Sequence, residues 1–248
     1  MIKFIITSIA VFVVVIICIL IFMTIMNAKK IEDFYVDELV QYPPEKPINV
    51  SGILTSPPSS VFSGKYYQTF TSKNDPYRID YGTTWNGWYL PSLFFDYDTN
   101  VDKAGAHFQT GGYNTSDGSH YAGVTCPLIN NIKGDWISIN LPKPTAIKKY
   151  GFIARRGLVG RSPGAWKLYG YNKGSNNPTE IDSNDTRLKN DAYDPNKSYT
   201  YLKNILSNEK EFDSYLFVFT KAAQSPSGEN IGNNYMINFT QILLFGNK

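Results

Sequence analysis

Cysteine, histidine and net charge are all scarce in this chain, and each scarcity removes a class of function. Of its 248 residues two are Cys and two are His. Cys18 lies inside a long apolar run and Cys126 far beyond it, so the two do not pair within one folded domain. A domain without an internal disulfide fits a reducing compartment better than an oxidising one. His107 and His120 have no Cys or carboxylate at ligand spacing, which leaves no zinc signature. No Gly-x-Ser-x-Gly elbow and no Gly-rich phosphate loop occurs. Cys126 is followed by Pro127, with no base nearby in sequence. The chain therefore reads as a non-enzyme. Beyond residue 28 it carries 23 Lys and Arg against 21 Asp and Glu. So even a balance gives nucleic acid no electrostatic hold.

One long apolar run is present. Phe4 to Met26 is 23 residues without a charge. At about 1.5 Å of rise per residue a helix of that length crosses a hydrocarbon core of roughly 30 Å. A cleavable signal peptide is the competing reading, but its apolar core is normally about 7–15 residues long. The only small-x-small end is the weak Met26-Asn27-Ala28. Residues 1–28 are thus expected to be a single-pass membrane anchor, with the lipid bilayer as partner of residues 4–26. Lys3 flanks one side and Lys29 and Lys30 the other, a near tie under the positive-inside rule, so orientation stays open. Ile31, Phe34, Tyr35 and Leu39 then fall at helical spacing until Pro43-Pro44 must stop the helix. Residues 29–47 read as a juxtamembrane helix and Pro-rich linker, and residues 48–248 as the domain.

That domain is patterned for β-structure. The chain holds 18 Tyr, 15 Phe, 19 Gly and 14 Pro, a bias toward strands and turns. Ile48–Leu54 is a candidate first strand. Trp136 to Leu141 alternates apolar with polar, the period-2 mark of a half-buried strand, and Pro142-Lys143-Pro144 stops it. Ile147 to Ala154 and Trp166 to Tyr171 read as two more strands, separated by a basic loop from Arg155 to Gly164. Trp136 and Trp166 are expected to be core residues that both face inward. Lys173 to Ser198 is polar and reads as a long surface excursion. Tyr215–Phe219 and Met236–Phe245 are the last strands. Trp85 and Trp88 suit either a membrane-facing loop tip or a cross-strand aromatic pair. Five Asn-x-Ser/Thr sequons, at Asn49, Asn114, Asn184, Asn196 and Asn238, are what so Asn-rich a chain contains by chance.

Three motifs resemble one family when taken in order. Gly134-Asp-Trp-Ile-x-Ile-x-Leu-Pro142 is followed by Arg161-Ser-Pro-x-x-Trp166 and closed by Phe239-Thr-Gln-Ile-Leu-Leu-Phe-Gly246. With Leu93–Asn100 standing for an early aromatic-Asp segment, the stretch from about residue 60 to 248 resembles the discoidin family. That family is also called coagulation factor 5/8 type C or galactose-binding-like, and the likeness is to the form found in large DNA viruses. The resemblance implies an all-β jelly-roll β-sandwich that binds surfaces, sugars or lipids and rarely does chemistry.

The resemblance also suggests sites. Some relatives hold a structural calcium near the aromatic-Asp loop. Asp96, Asp98 and Asn100 are oxygen donors hard enough for it. Yet the late acid of such a site is Gln241 here, and an Asx-rich turn explains the loop equally. Apart from that ion no cofactor is expected. Sugar-binding relatives use His and Arg on loops, which makes His107, Arg155, Arg156 and Arg161 the ligand-binding candidates by residue type. Arg161 has the alternative of bracing its own Ser-Pro loop. The expectation is a membrane-anchored structural protein, a virion membrane or minor capsid component whose sandwich grips neighbouring capsid or membrane proteins. The alternative is an attachment protein that recognises a glycan or a surface.

Overall fold

The computed structural model describes residues 16, 17, 21, 39–52, 66–82, 91–96, 112–114, 116–119, 125–126, 128–175, 177–188, 200–224 and 237–247. Residues 1–39, with Lys248, form one unit and Val40–Asn247 another. Of the expected anchor only Ile16, Ile17 and Ile21 are described, all helical and exposed. No helix among the described residues is long and apolar enough to cross a membrane, and the rest of the 4–26 run lies outside them.

The unit from Val40 is built of strands. β1 (Val40–Tyr42), β2 (Ile48–Gly52), β3 (Tyr66–Ser72) and β4 (Asp75–Tyr81) precede a 3-10 turn at Pro91–Phe95. β5 (Thr125–Cys126), β6 (Ile129–Lys133), β7 (Asp135–Thr145) and β8 (Ile147–Ala154) lead to a second such turn at Val159–Arg161. β9 (Pro163–Tyr171), β10 (Thr179–Asn184), β11 (Thr200–Asn204), β12 (Phe212–Ala222) and β13 (Phe239–Gly246) complete the order. They assemble into a four-stranded sheet, β1-β13-β8-β11, and a seven-stranded sheet, β10-β9-β12-β7-β4-β3-β2, with β5 and β6 as a separate hairpin. Every pairing among the described strands is antiparallel. The chain is an all-β sandwich.

Alternation sets the two faces of each strand, because successive side chains point to opposite sides. On β7 Ile137 and Ile139, on β9 Trp166 and Leu168, and on β12 Tyr215, Phe217 and Phe219 enter the core between the sheets. Tyr150, Phe152, Phe239 and Leu244 meet them from the four-stranded sheet. Phe152 is the hub. Its ring lies 5.1 Å from Trp166, 5.4 Å from Phe217, 5.7 Å from Phe219 and 5.5 Å from Phe239, each in an edge-on arrangement. Aromatic rings prefer that geometry because their positive edges meet negative faces.

Three sequence expectations need correction. Trp136 is buried but does not face the inter-sheet core. It lies on the outer face of the seven-stranded sheet with Tyr169, Tyr171, Leu216 and Val218. The β5–β6 arm covers that face and contributes Cys126, Leu128, Ile129 and Ile132. Alternation fixes that Trp136 and Ile137 oppose each other, but not which side is dry; here both are. Second, the sandwich begins before residue 48. Within the supposed linker, Val40 pairs with Gly246 and Tyr42 with Leu244, so β1 completes the sheet through the last strand. Third, the polar excursion after Lys173 contains β10, an edge strand on β9 with a register shift between Glu180 and Asp182. Its half-buried polar residues hid the period-2 signal.

Candidate ligand-binding cleft

The outer face of the seven-stranded sheet divides in two. Among the described residues, the β5–β6 arm covers one part and none covers the other. Strand register builds a single polar row that runs from the open part to a buried margin at Ser214 and Tyr171. Ser51 of β2 pairs with Thr69 of β3, and Thr69 with Arg78 of β4. Arg78 pairs with Asn140 of β7, Asn140 with Ser214 of β12, and Ser214 with Tyr171 of β9. Laterally paired residues share a face, so the six form one rung. Five steps of about 4.8 Å make that rung about 24 Å long.

The polar groups are fixed before any ligand arrives. Arg78 and Asp80 sit two apart on β4 and therefore project together. Arg78 donates from Nε and Nη2 to Asp80 Oδ1 at 3.1 and 2.8 Å. Asn140 Nδ2 donates to Asp80 Oδ2 at 2.9 Å, and Asn140 Oδ1 accepts from Ser214 Oγ at 2.8 Å. The Arg78 guanidinium lies 4.4 Å over the Tyr67 ring, a cation–π contact from the next strand. The hydrogen bond to Asp80 raises the Arg78 pKa above its ordinary value, so this charge is permanent. The Arg78 side chain is 46% exposed and Asp80 6%. The carboxylate is thus the buried anchor and the guanidinium the presented group.

Around the rung lies a cleft of about 880 Å³, lined also by Asn49, Thr71, Leu128, Pro142, Lys173 and Asp213. Ser51 Oγ and Thr69 Oγ1 lie 3.0 Å apart, and Asn49 Nδ2 donates to Thr71 Oγ1 at 3.2 Å. At the other end both Asp213 carboxylate oxygens accept the Lys173 backbone N–H at 2.9 Å. Tyr171 and Ser138 share a 2.6 Å hydroxyl contact behind the rung. Among the described residues the lining holds neither His nor Cys, and presents hydrogen-bonding groups.

The sequence candidates fall elsewhere. Arg155, Arg156 and Arg161 belong to the turn before β9, whereas the cleft meets β9 at its end, Tyr171. Nine residues of strand at about 3.3 Å each separate the two ends. Arg156 is exposed, Arg155 and Arg161 half-buried. The Arg161 carbonyl accepts the Asn238 backbone N–H at 2.7 Å and its own N–H donates to Leu158 O at 3.0 Å, so its backbone braces the loop. His107, Trp85 and Trp88 lie outside the described residues. Arg78, Asp80 and Asn140 were not singled out. The alternation Tyr77-Arg78-Ile79-Asp80-Tyr81 is the local signal that could have flagged the first two.

The calcium implied by the resemblance can be tested at Asp96. Gln241, 2% exposed, donates from Nε2 to Asp96 Oδ1 at 2.5 Å and to Leu93 O at 3.3 Å. Both neighbours are acceptors, so the NH₂ end of the amide must face them. A hard cation needs oxygens turned toward it; here a neutral amide presents N–H groups to the carboxylate. Among the described residues, Asp96 and Gln241 as they are turned here do not fit calcium. Asp98 and Asn100 lie outside the described residues, and no group of three or more His, Cys, Asp or Glu able to hold a metal occurs among those described.

No protein-family model matches the chain, and no curated protein does. Solved structures similar to it include carbohydrate-binding modules and an F5/8 type C domain. The family 32 module of Clostridium perfringens NanJ in complex with galactose is 10% identical, at a TM-score of 0.40, covering 68% of this chain and 93% of that one. A family 32 module of C. perfringens in complex with GalNAc-β-1,3-galactose is 12% identical, at 0.41, covering 68% and 94%. An F5/8 type C domain from Bacteroides fragilis is 11% identical, at 0.33, covering 48% and 68%.

Proposed function

We propose that this chain is a non-catalytic carbohydrate-binding protein and that its ligand lies along the Ser51–Tyr171 rung. The rung itself carries the proposal. Sugar hydroxyls are met by planar groups that engage two atoms at once, such as guanidinium, carboxylate and carboxamide. Arg78 presents the first of these and Asn140 stands beside it, both locked in place by the buried Asp80 carboxylate. Pre-fixed groups order little on binding and so lose little affinity. A structural role in gripping a protein partner would need a contiguous apolar face with buried anchors. Among the described residues of the sandwich the exposed large hydrophobics are Ile48 and Val50 on β2 and Leu202 on β11, edge strands of different sheets. We also propose that Phe4–Met26 tethers the domain to a bilayer.

A glycan array probed with the full chain tests the binding role. Signal that Arg78→Ala and Asn140→Ala both abolish supports it; an array at background, or signal indifferent to both changes, overturns it. Carbonate extraction tests the tether, which release of the full chain into the supernatant would rule out.

A further inference from the structure

Resting on that reading, we infer that the cleft takes an uncharged, chain-like glycan laid across the strands, not a single sugar and not an acidic one. Shape gives the first half. The rung crosses six strands over about 24 Å, and the cleft above it, at about 880 Å³, sits near the top of the range of about 300–1,000 Å³ that whole drug-sized ligands fill. One sugar ring covers a fraction of that. The hydrogen-bonding groups are spread along the row and not gathered at one point: Asn49, Ser51 and Thr69 at one end, Arg78 and Asn140 in the middle, Lys173 and Asp213 at the other.

Charge gives the second half. Among the described residues the cleft is lined by two cations, Arg78 and Lys173, and two anions, Asp80 and Asp213. Arg78 is neutralised on the spot by Asp80 at 2.8 Å. Asp213 accepts the Lys173 backbone N–H and stands beside that residue. A cleft that sums to zero has no field with which to draw in a polyanion. The Arg78 Nη1 group makes no bond among the described residues, so the guanidinium still offers donors to a neutral hydroxyl.

Titration calorimetry of the full chain with manno-, gluco- and galacto-oligosaccharides of one to six residues, and with hyaluronan as the acidic chain, tests this. In one neutral series the affinity should rise at least tenfold from one residue to four, and hyaluronan should bind at least tenfold more weakly than that tetramer. Ser51→Trp, an exposed change that obstructs the rung without touching the core, should erase the gain with length and leave the melting temperature unchanged. Equal affinity for one residue and four, a preference for hyaluronan, or a length gain that survives Ser51→Trp would each overturn this inference while leaving carbohydrate binding in place. No binding to any probe would sink both.

Discussion

Trp166 donates its indole N–H to the Tyr150 hydroxyl at 2.8 Å, and that bond joins the two sheets. Trp166 stands on β9 of the seven-stranded sheet and Tyr150 on β8 of the four-stranded one. The chain of bonds continues outward. Tyr150 donates to Asp182 Oδ2 at 2.7 Å, and Lys203 Nζ donates to Asp182 Oδ1 at 2.7 Å. Asp182 and Lys203 belong to β10 and β11, the edge strands, so one polar line crosses the otherwise aromatic core. Burial, and then the hydrogen bond to Asp182, hold the Tyr150 phenol far above its ordinary pKa, and it stays a donor at any physiological pH.

Replacing Tyr150 by Phe keeps the ring and orphans the indole N–H. An unsatisfied buried donor costs about 1–3 kcal/mol. In a domain of this size each kcal/mol moves the melting temperature by roughly 2–4 °C. Tyr150→Phe should therefore lower it by several degrees in differential scanning calorimetry. An unchanged melting temperature would mean that the inter-sheet bond contributes nothing.

Trp136 and Trp166 should respond differently to truncation. Each loses a large buried aromatic, at about 3–5 kcal/mol. Trp166 lies in the main core, and Trp166→Ala should unfold the sandwich. Trp136 lies under the β5–β6 arm beside Cys126, which is fully buried. In a Cys18→Ser background, Trp136→Ala should make the Cys126 thiol react with a disulfide reagent while near-ultraviolet circular dichroism still reports a packed core. Silence at Cys126 with the core intact would show that the arm does not rest on Trp136.

Much of the sandwich is legible in the sequence, because alternation is a local property. The Trp136, Ile147, Trp166 and Tyr215 runs each fall inside an observed strand. What alternation leaves open is which face a second layer covers, and Trp136 shows the consequence. The cleft was less legible still. Its rung joins Ser51, Thr69, Arg78, Asn140, Ser214 and Tyr171, and only strand order and register bring them side by side. No window of sequence contains them together. Arg155, Arg156 and Arg161 are candidates by residue type through the family resemblance, and residue type is a property of the chain and not of the fold.

Alkaline pH should weaken the domain through its buried phenols. Burial is the main cause that pushes Tyr171 and Tyr215 up to about 12, against about 10 in an unfolded chain. The unfolded state then sheds protons first, so stability is full below pH 10 and falls as pH rises from about 10 to 12. Each phenol accounts for on the order of 2 kcal/mol across that window. Urea midpoints at pH 8, 10 and 11.5 should stay level between the first two and drop at the third, and Tyr171→Phe should drop less than the parent. A midpoint that is flat to pH 12 would contradict the sign.

Because Gln241 faces Asp96 with N–H groups, the domain should be indifferent to calcium, and one substitution should reverse that. The carboxamide supplies N–H groups to Asp96 and to the Leu93 carbonyl where a cation would need oxygens. Gln241→Glu turns that donor into a second carboxylate facing the first. A buried carboxylate at 241 and the half-buried Asp96 repel each other, and one is forced to hold its proton unless a cation arrives. The parent chain should melt at the same temperature in EDTA and in millimolar calcium. The variant should melt several degrees lower in EDTA and recover with calcium, since binding to the folded state alone stabilises by mass action. A parent that loses stability in EDTA would show that the cation site survives the amide. A variant that calcium does not rescue would show that the remaining oxygens at Asp96 and Leu93 are too few to hold the ion.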